Sequence, residues 1–201
     1  MKKIILVSIL FLGIISCENS IDRTIFVPDE NDSNLPAYTE WGYNSFGAKY
    51  ERNYFLSSND LVPCKVTYKD GHINFYLIGY VAGSRGYGYY SGDKMSLLIS
   101  FPFSAVKDYA GLLALNAQTI DISNDGCSVS MSVNDAATTD LEVLSGQLSF
   151  KRAQLLRIDD KPDRVILSGT FTVSFLNQGR PETISDGRFD LGINKDFYSF
   201  D

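Results

Sequence analysis

The chain has 201 residues, 44% hydrophobic and 21% charged, with a formal charge of −6. That length suits one globular domain, or at most a small pair, whose core needs no metal or disulfide for stability. No basic cluster survives that could track phosphates, so composition argues against nucleic acid as a partner.

Met1, Lys2 and Lys3 form a positive start, and residues 4–15 are an apolar run broken only by Ser8 and Gly13. The run is too short to span a hydrocarbon core, which needs about 20 residues. It has the length and flanks of a secretory signal. Ile14-Ile15-Ser16-Cys17 resembles the bacterial lipobox, with an aliphatic residue at −3 and a small one at −1. In such signals the cysteine thiol receives a diacylglycerol, the chain is then cut on the N-terminal side of that cysteine, and the new N-terminus is acylated. Cys17 is therefore the expected lipidation site, and three acyl chains exceed what stable anchoring needs. Residues 1–16 read as signal peptide, 17–36 as a flexible acidic tether, and 37–201 as the folded domain. Removal of Lys2 and Lys3 leaves 16 basic and 24 acidic side chains, or −8. Glu18 and Asp22 resemble a surface-export signal of Bacteroidetes lipoproteins. The outer membrane is the expected address, with its periplasmic and outward faces both open.

From Ala37 on, strand signals recur at short spacing, and 12 Tyr, 13 Phe and 16 Gly favour β structure. Residues 45–50 and 53–56 suggest an early hairpin. Residues 62–68 and 72–81 flank Lys69-Asp70-Gly71, where Asp-Gly supplies the positive φ values of a tight turn. Residues 94–103 carry Leu97, Ile99, Phe101 and Phe103 at period two. Residues 104–117 break the pattern, and a short helix near 105–112 is one reading of them. Residues 127–133 alternate Cys, Val, Met and Val against three serines, as a strand with one wet face does. Residues 146–158, 165–175 and 183–193 complete the set, with Asn177-Gln178-Gly179-Arg180 as a turn. The prediction is all-β: one antiparallel domain of about eight to ten strands, a β-sandwich or, alternatively, a lipocalin-like β-barrel.

Chemical signals are sparse. His72 is the single histidine and follows a turn; no Gly-x-Ser-x-Gly elbow accompanies it, so no catalytic residue is assigned and no enzyme is expected. Residues 121–126, DISNDG, lack calcium-loop spacing, and Asn124-Asp125-Gly126 reads as a turn before the next strand. No metal or cofactor is expected. Cys64 and Cys127 each share a face with apolar neighbours; a disulfide between them and two separate buried thiols both remain open. Residues 79–93, GYVAGSRGYGYYSGD, interleave glycines with tyrosines. A hairpin tip with cross-strand aromatic pairs is the plainer reading. The functional alternative is a binding loop for sugar rings or a protein partner, through Tyr80, Arg85, Tyr87, Tyr89 and Tyr90.

Residues 35–47, LPAYTEWGYNSFG, are similar to the opening of a family of uncharacterised Bacteroidetes cell-envelope lipoproteins, at Leu35, Pro36, Thr39, Gly42, Asn44, Ser45, Phe46 and Gly47. The closing Asp186-Gly187-Arg188-Phe189-Asp190 resembles that family's last hairpin. The middle of the chain carries no such resemblance, and AKYERNYF replaces the family's usual Asn-Gly after the first strand. The resemblance implies a secreted, lipid-anchored β domain and brings no catalytic residues. Asp186, Arg188 and Asp190 share one strand face, where alternate charges can pair laterally, so the motif reads as structural. The expected function is an envelope binding module for a glycan, a small ligand or a protein partner. The alternatives are an assembly component of the outer membrane and, last, a hydrolase.

Overall fold

The computed structural model describes residues 24–82, 92–103, 108–195 and 197–200. Cys17 and most of the Tyr-Gly segment, including Arg85, Tyr87, Tyr89 and Tyr90, lie outside the described residues.

Eleven strands and one short 3-10 helix, Tyr109–Leu115, make up the regular structure of the described residues. The strands are β1 (Ser45–Tyr50), β2 (Asn53–Leu56), β3 (Cys64–Lys69), β4 (His72–Ala82), β5 (Asp93–Pro102) and β6 (Thr119–Asp121). They continue with β7 (Ser128–Val133), β8 (Thr139–Ile158), β9 (Lys161–Asn177), β10 (Arg180–Ile193) and β11 (Tyr198–Phe200). The all-β antiparallel prediction holds, and most strand limits fall within a few residues of those read from alternation. The helix begins at Tyr109, later than expected, and Asp108 caps it by accepting a hydrogen bond from Gly111 N.

All strands join one hydrogen-bonded sheet, ordered β11-β3-β4-β2-β1-β10-β9-β8-β7-β5, with β6 on β8. Because β5 also pairs with β4, eight strands from β4 round to β5 form a closed ring. The ring is irregular and not a clean barrel: only three residue pairs join β2 to β4, and three join β7 to β8. The sandwich and barrel alternatives thus merge in one curled sheet whose inner faces meet. Only β11 pairs in parallel, on β3.

Tight turns set the registers. Asp70 and Gly71 have φ of 50° and 81°, and Gln178 and Gly179 have 51° and 78°. These are the two consecutive positive values of a type I′ turn, whose twist matches that of paired strands.

The interior is filled with phenylalanine. Phe75, Phe150 and Phe189 stand 5.4–5.8 Å apart, centroid to centroid, with Phe101 and Phe171 against their edges. A lipocalin-like chamber would need that volume empty. Leu112 and Leu115 of the helix are buried beside β8 and β9.

Three β-bulges keep apolar residues facing inward where simple alternation fails. In β10, Ile184 and Phe189 have opposite parity in sequence yet both are buried, because the pairing slips between Ile184 and Gly187. In β8, slips at Val143/Ser145 and Phe150/Arg152 do the same for Leu141 and Leu148 and for the strand beyond. Residues 139–145 of β8 carry only a short alternation, at Leu141 and Val143, which the slip at Val143/Ser145 puts out of phase with Leu148 and Phe150.

Residues 24–36 belong to the stretch read as a flexible tether, in which only the apolar Ile25-Phe26-Val27 island reads as docking on the domain surface. All of residues 24–36 lie against the domain. Ile25 N donates to Tyr43 O, Ala37 N donates to Val27 O, and Pro28 bridges Pro36. Leu35 is fully buried, Asp29 pairs with Arg188 at 2.6 Å, and Lys49 reaches Asp32 at 3.4 Å. The domain therefore begins well before Ala37.

Candidate functional site

Residues 37–43 continue this docked segment as a strap across the outer faces of β10, β9 and β8. Its anchor is one buried carboxylate. Asp190 is 2% exposed and accepts five hydrogen bonds. Its Oδ2 receives Thr39 Oγ1 at 2.7 Å, Trp41 N at 3.0 Å and Tyr43 N at 3.3 Å. Its Oδ1 receives Gly42 N at 2.7 Å and Ser168 Oγ at 3.2 Å. An ionised carboxylate is acceptor-only, so three successive backbone N–H groups suit it well. Asn44, at φ 53°, then turns the strap into β1, and its Oδ1 accepts from Gly192 N at 2.9 Å.

The two sequence segments that carry the family resemblance thus meet in space as a clasp. Asp186, Arg188 and Asp190 do not pair laterally with one another. Asp186 sits at the β10 bulge and pairs with Lys49 at 2.9 Å, Arg188 pairs with Asp29, and Asp190 holds the strap. The strap also covers Ser168, which alternation places on the wet face but which is fully buried.

The clasp presents an aromatic pair to solvent. Trp41, the chain's single tryptophan, is 71% exposed, and Tyr38 is 39% exposed. Between them Glu40 joins a polar chain. Tyr38 Oη donates to Glu40 Oε1 at 2.8 Å, and Arg152 Nη1 donates to Glu40 Oε2 at 2.8 Å. Gln154 Nε2 donates to the Glu40 carbonyl at 2.9 Å. The Arg152 hydrogen bond, followed by that from Tyr38, holds the Glu40 carboxyl below its ordinary range. Burial, then the Glu40 hydrogen bond, pushes the Tyr38 phenol up.

Two open clefts flank Tyr38, each of about 350 Å3, at the lower end of the range for small-ligand sites. One lies between Tyr38, Glu40, Trp41, Arg152 and Gln154. The other runs over the outer face of β8, β9 and β10, past Gln147, Thr170, Thr172, Asp186 and Arg188. Charges in both are matched by neighbours of opposite sign.

Of the Tyr-Gly candidates, only Tyr80 is described. It is half-buried near the end of β4, and its Oη donates to Asp60 Oδ2 at 3.0 Å. Cys64 and Cys127 are free thiols. Cys64 lies opposite Leu77, that strand faces β5, and β5 faces β7, just after Cys127. Three strand spacings, roughly 14 Å along the sheet, separate the two chains, beyond the reach of a disulfide. His72 Nδ1 lies 3.1 Å from Asp70 O at its turn, opposite Lys69 and far along the ladder from Cys64, so the two are not cross-strand neighbours. Cys127 N donates to Asn124 O at 3.1 Å across the turn at Asn124-Asp125-Gly126, and Asp121 Oδ1 accepts from Ser123 N and Oγ just before it. No group of three or more potential metal ligands occurs among the described residues. Likewise, no described helix is long and apolar enough to cross a membrane.

Sequence reasoning passed over Tyr38 and Trp41. The available signal was a lone tryptophan in a segment with neither strand nor helix periodicity, where no core position claims it. Comparison with protein-family models, curated proteins and solved structures finds no match to this chain.

Proposed function

We propose that this chain is a lipid-anchored cell-envelope protein that works as a binding module, with the Tyr38–Trp41 surface as its binding face. One observation carries the reading: a large aromatic side chain is held out to solvent by a strap whose backbone is fixed to a buried carboxylate. Exposing an indole forgoes apolar burial of the kind that stabilises the rest of the molecule. Fixing it in advance lowers the ordering cost of covering it with a partner.

The anchor is the lipobox-like Ile14-Ile15-Ser16-Cys17, and the family resemblance of the two clasp segments agrees with an envelope address.

Two measurements test the proposal. Intact mass of the membrane-extracted protein should carry the lipid increment at Cys17, and Cys17→Ser should release the chain to the soluble fraction. Trp41 emission, which has no other tryptophan to mask it, should respond to envelope extracts. A soluble wild-type protein, or an emission spectrum indifferent to every extract, would remove the support for this reading.

A further inference from the structure

We propose that the two clefts beside Tyr38 form one continuous site for a linear, neutral oligosaccharide, with Trp41 stacking on a sugar ring. The inference rests on the binding-module reading above and names the ligand class of that same site.

The chemistry of the face selects the class. A pyranose offers a flat C–H face and a rim of hydroxyls, each both donor and acceptor. Trp41 supplies a flat apolar surface of matching kind, 71% exposed. Beside it Glu40 supplies carboxylate acceptors, and Arg152 and Gln154 supply donors, all within one hydrogen-bonded unit. Adjacent hydroxyls can donate to Glu40 and accept from Arg152, as a planar ion pair allows. Beyond Tyr38, Gln147, Thr170 and Thr172 line the second cleft with uncharged groups that also both donate and accept. Tyr38 is common to both clefts, so a chain of at least two sugar units would pass over it.

Charge argues against an acidic ligand. Arg152 is engaged by Glu40 and Arg188 by Asp29, so neither cation is left over to recruit a phosphate or carboxylate. The whole chain is also acidic, which disfavours polyanions at long range. Preorganisation completes the case: the N–H groups of Trp41, Gly42 and Tyr43 are already tied to Asp190, so the platform is built before the ligand arrives.

The test uses the full chain carrying Cys17→Ser. Linear hexasaccharides of β-1,4-glucose, α-1,4-glucose, β-1,4-xylose and β-1,4-mannose are titrated, with hexagalacturonate as the acidic comparison. Calorimetry and Trp41 emission provide the readouts. At least one neutral hexasaccharide should bind and shift the emission, with affinity rising at least about tenfold from disaccharide to tetrasaccharide. Trp41→Ala should weaken binding about 30-fold or more by calorimetry, as loss of a central aromatic anchor does, while its melting temperature stays at the wild-type value. Gln154→Ala should weaken it less. Preference for the acidic sugar, survival of binding in Trp41→Ala, or no neutral saccharide binding at about 10 mM would overturn the proposal. In that last case a periodate-treated envelope protein fraction separates the two levels. A Trp41 response to it sinks the glycan class and spares the binding module, whereas no response sinks both.

Discussion

Asp190→Asn isolates the clasp from the rest of the fold. The substitution is nearly isosteric, but an amide has one oxygen where the carboxylate has two. If the remaining oxygen keeps the Oδ2 position, it retains Thr39, Trp41 and Tyr43. The amide nitrogen then faces Gly42 N and Ser168 Oγ. The serine hydroxyl can rotate and accept; the Gly42 N–H cannot, and two donors confront each other. The three retained bonds also lose their charge assistance, falling from about 1.5–3 to about 0.5–1.5 kcal/mol each. Because these terms overlap, the net loss is about 3 kcal/mol. That is less than the 5–15 kcal/mol typical of a domain, so the variant should still fold. Its melting temperature should fall by roughly 6–12 °C. Urea unfolding followed by circular dichroism gives the stability, and the emission anisotropy of Trp41 reports how firmly the strap is held. Ser168→Ala, which removes one neutral donor, should cost only about 1 kcal/mol and leave the anisotropy as it is. A loss below about 1 kcal/mol in Asp190→Asn, or an unchanged anisotropy, would refute the assignment of Asp190 as the strap's anchor.

Phe189→Ala empties a site where three other rings meet, at 5.4, 5.7 and 6.5 Å, and should cost about 3–5 kcal/mol in denaturant unfolding. Gly169→Ala would set a Cβ 2.1 Å from Ser149 O and 2.6 Å from Phe189 Cζ. Because the nearest atom is sheet backbone, the loss should be at least about 2 kcal/mol, and a neutral result would mean that the β8–β9 pairing is wrong. The Glu40 carboxyl lies below its ordinary 4.5, so its contribution is complete above that pH and is lost as pH falls through the lower folded value. The stability difference between wild type and Glu40→Gln should therefore be constant above about pH 5 and shrink below about pH 4; a difference that persists unchanged at pH 3 would rule out the ion pair as its source. Burial raises both thiols, Cys64 the more deeply placed. Alkylation of the native protein should modify Cys127 well before Cys64, and reduction should expose no further thiol.

Much of the scaffold was legible from local pattern. The hairpins at Asp70-Gly71 and Gln178-Gly179 and the inward faces of β4, β5 and β9 follow from turn chemistry and period two. These depend on residues a few positions apart. The β8 and β10 bulges broke that period, and where a bulge falls depends on which partner strand must be matched. The binding candidates show the same divide. Tyrosine-rich composition drew attention to residues 79–93, of which the described part holds only Tyr80 and the strand ends around it. Trp41 gained meaning only with its neighbours.

The amino-acid sequence by itself determined an antiparallel β domain, its tight turns and most of its strands, because alternation and turn preference act within a single strand pair. Tertiary structure decided the rest. It closed the sheet on itself through β4 and β5, and drew residues 24–36 onto the domain. It also brought Glu40 to Arg152 and Thr39 to Asp190, pairs separated by 112 and 151 positions. Such contacts form when a buried carboxylate must find donors and an outer sheet face must find cover. No local period encodes which distant segment will supply them.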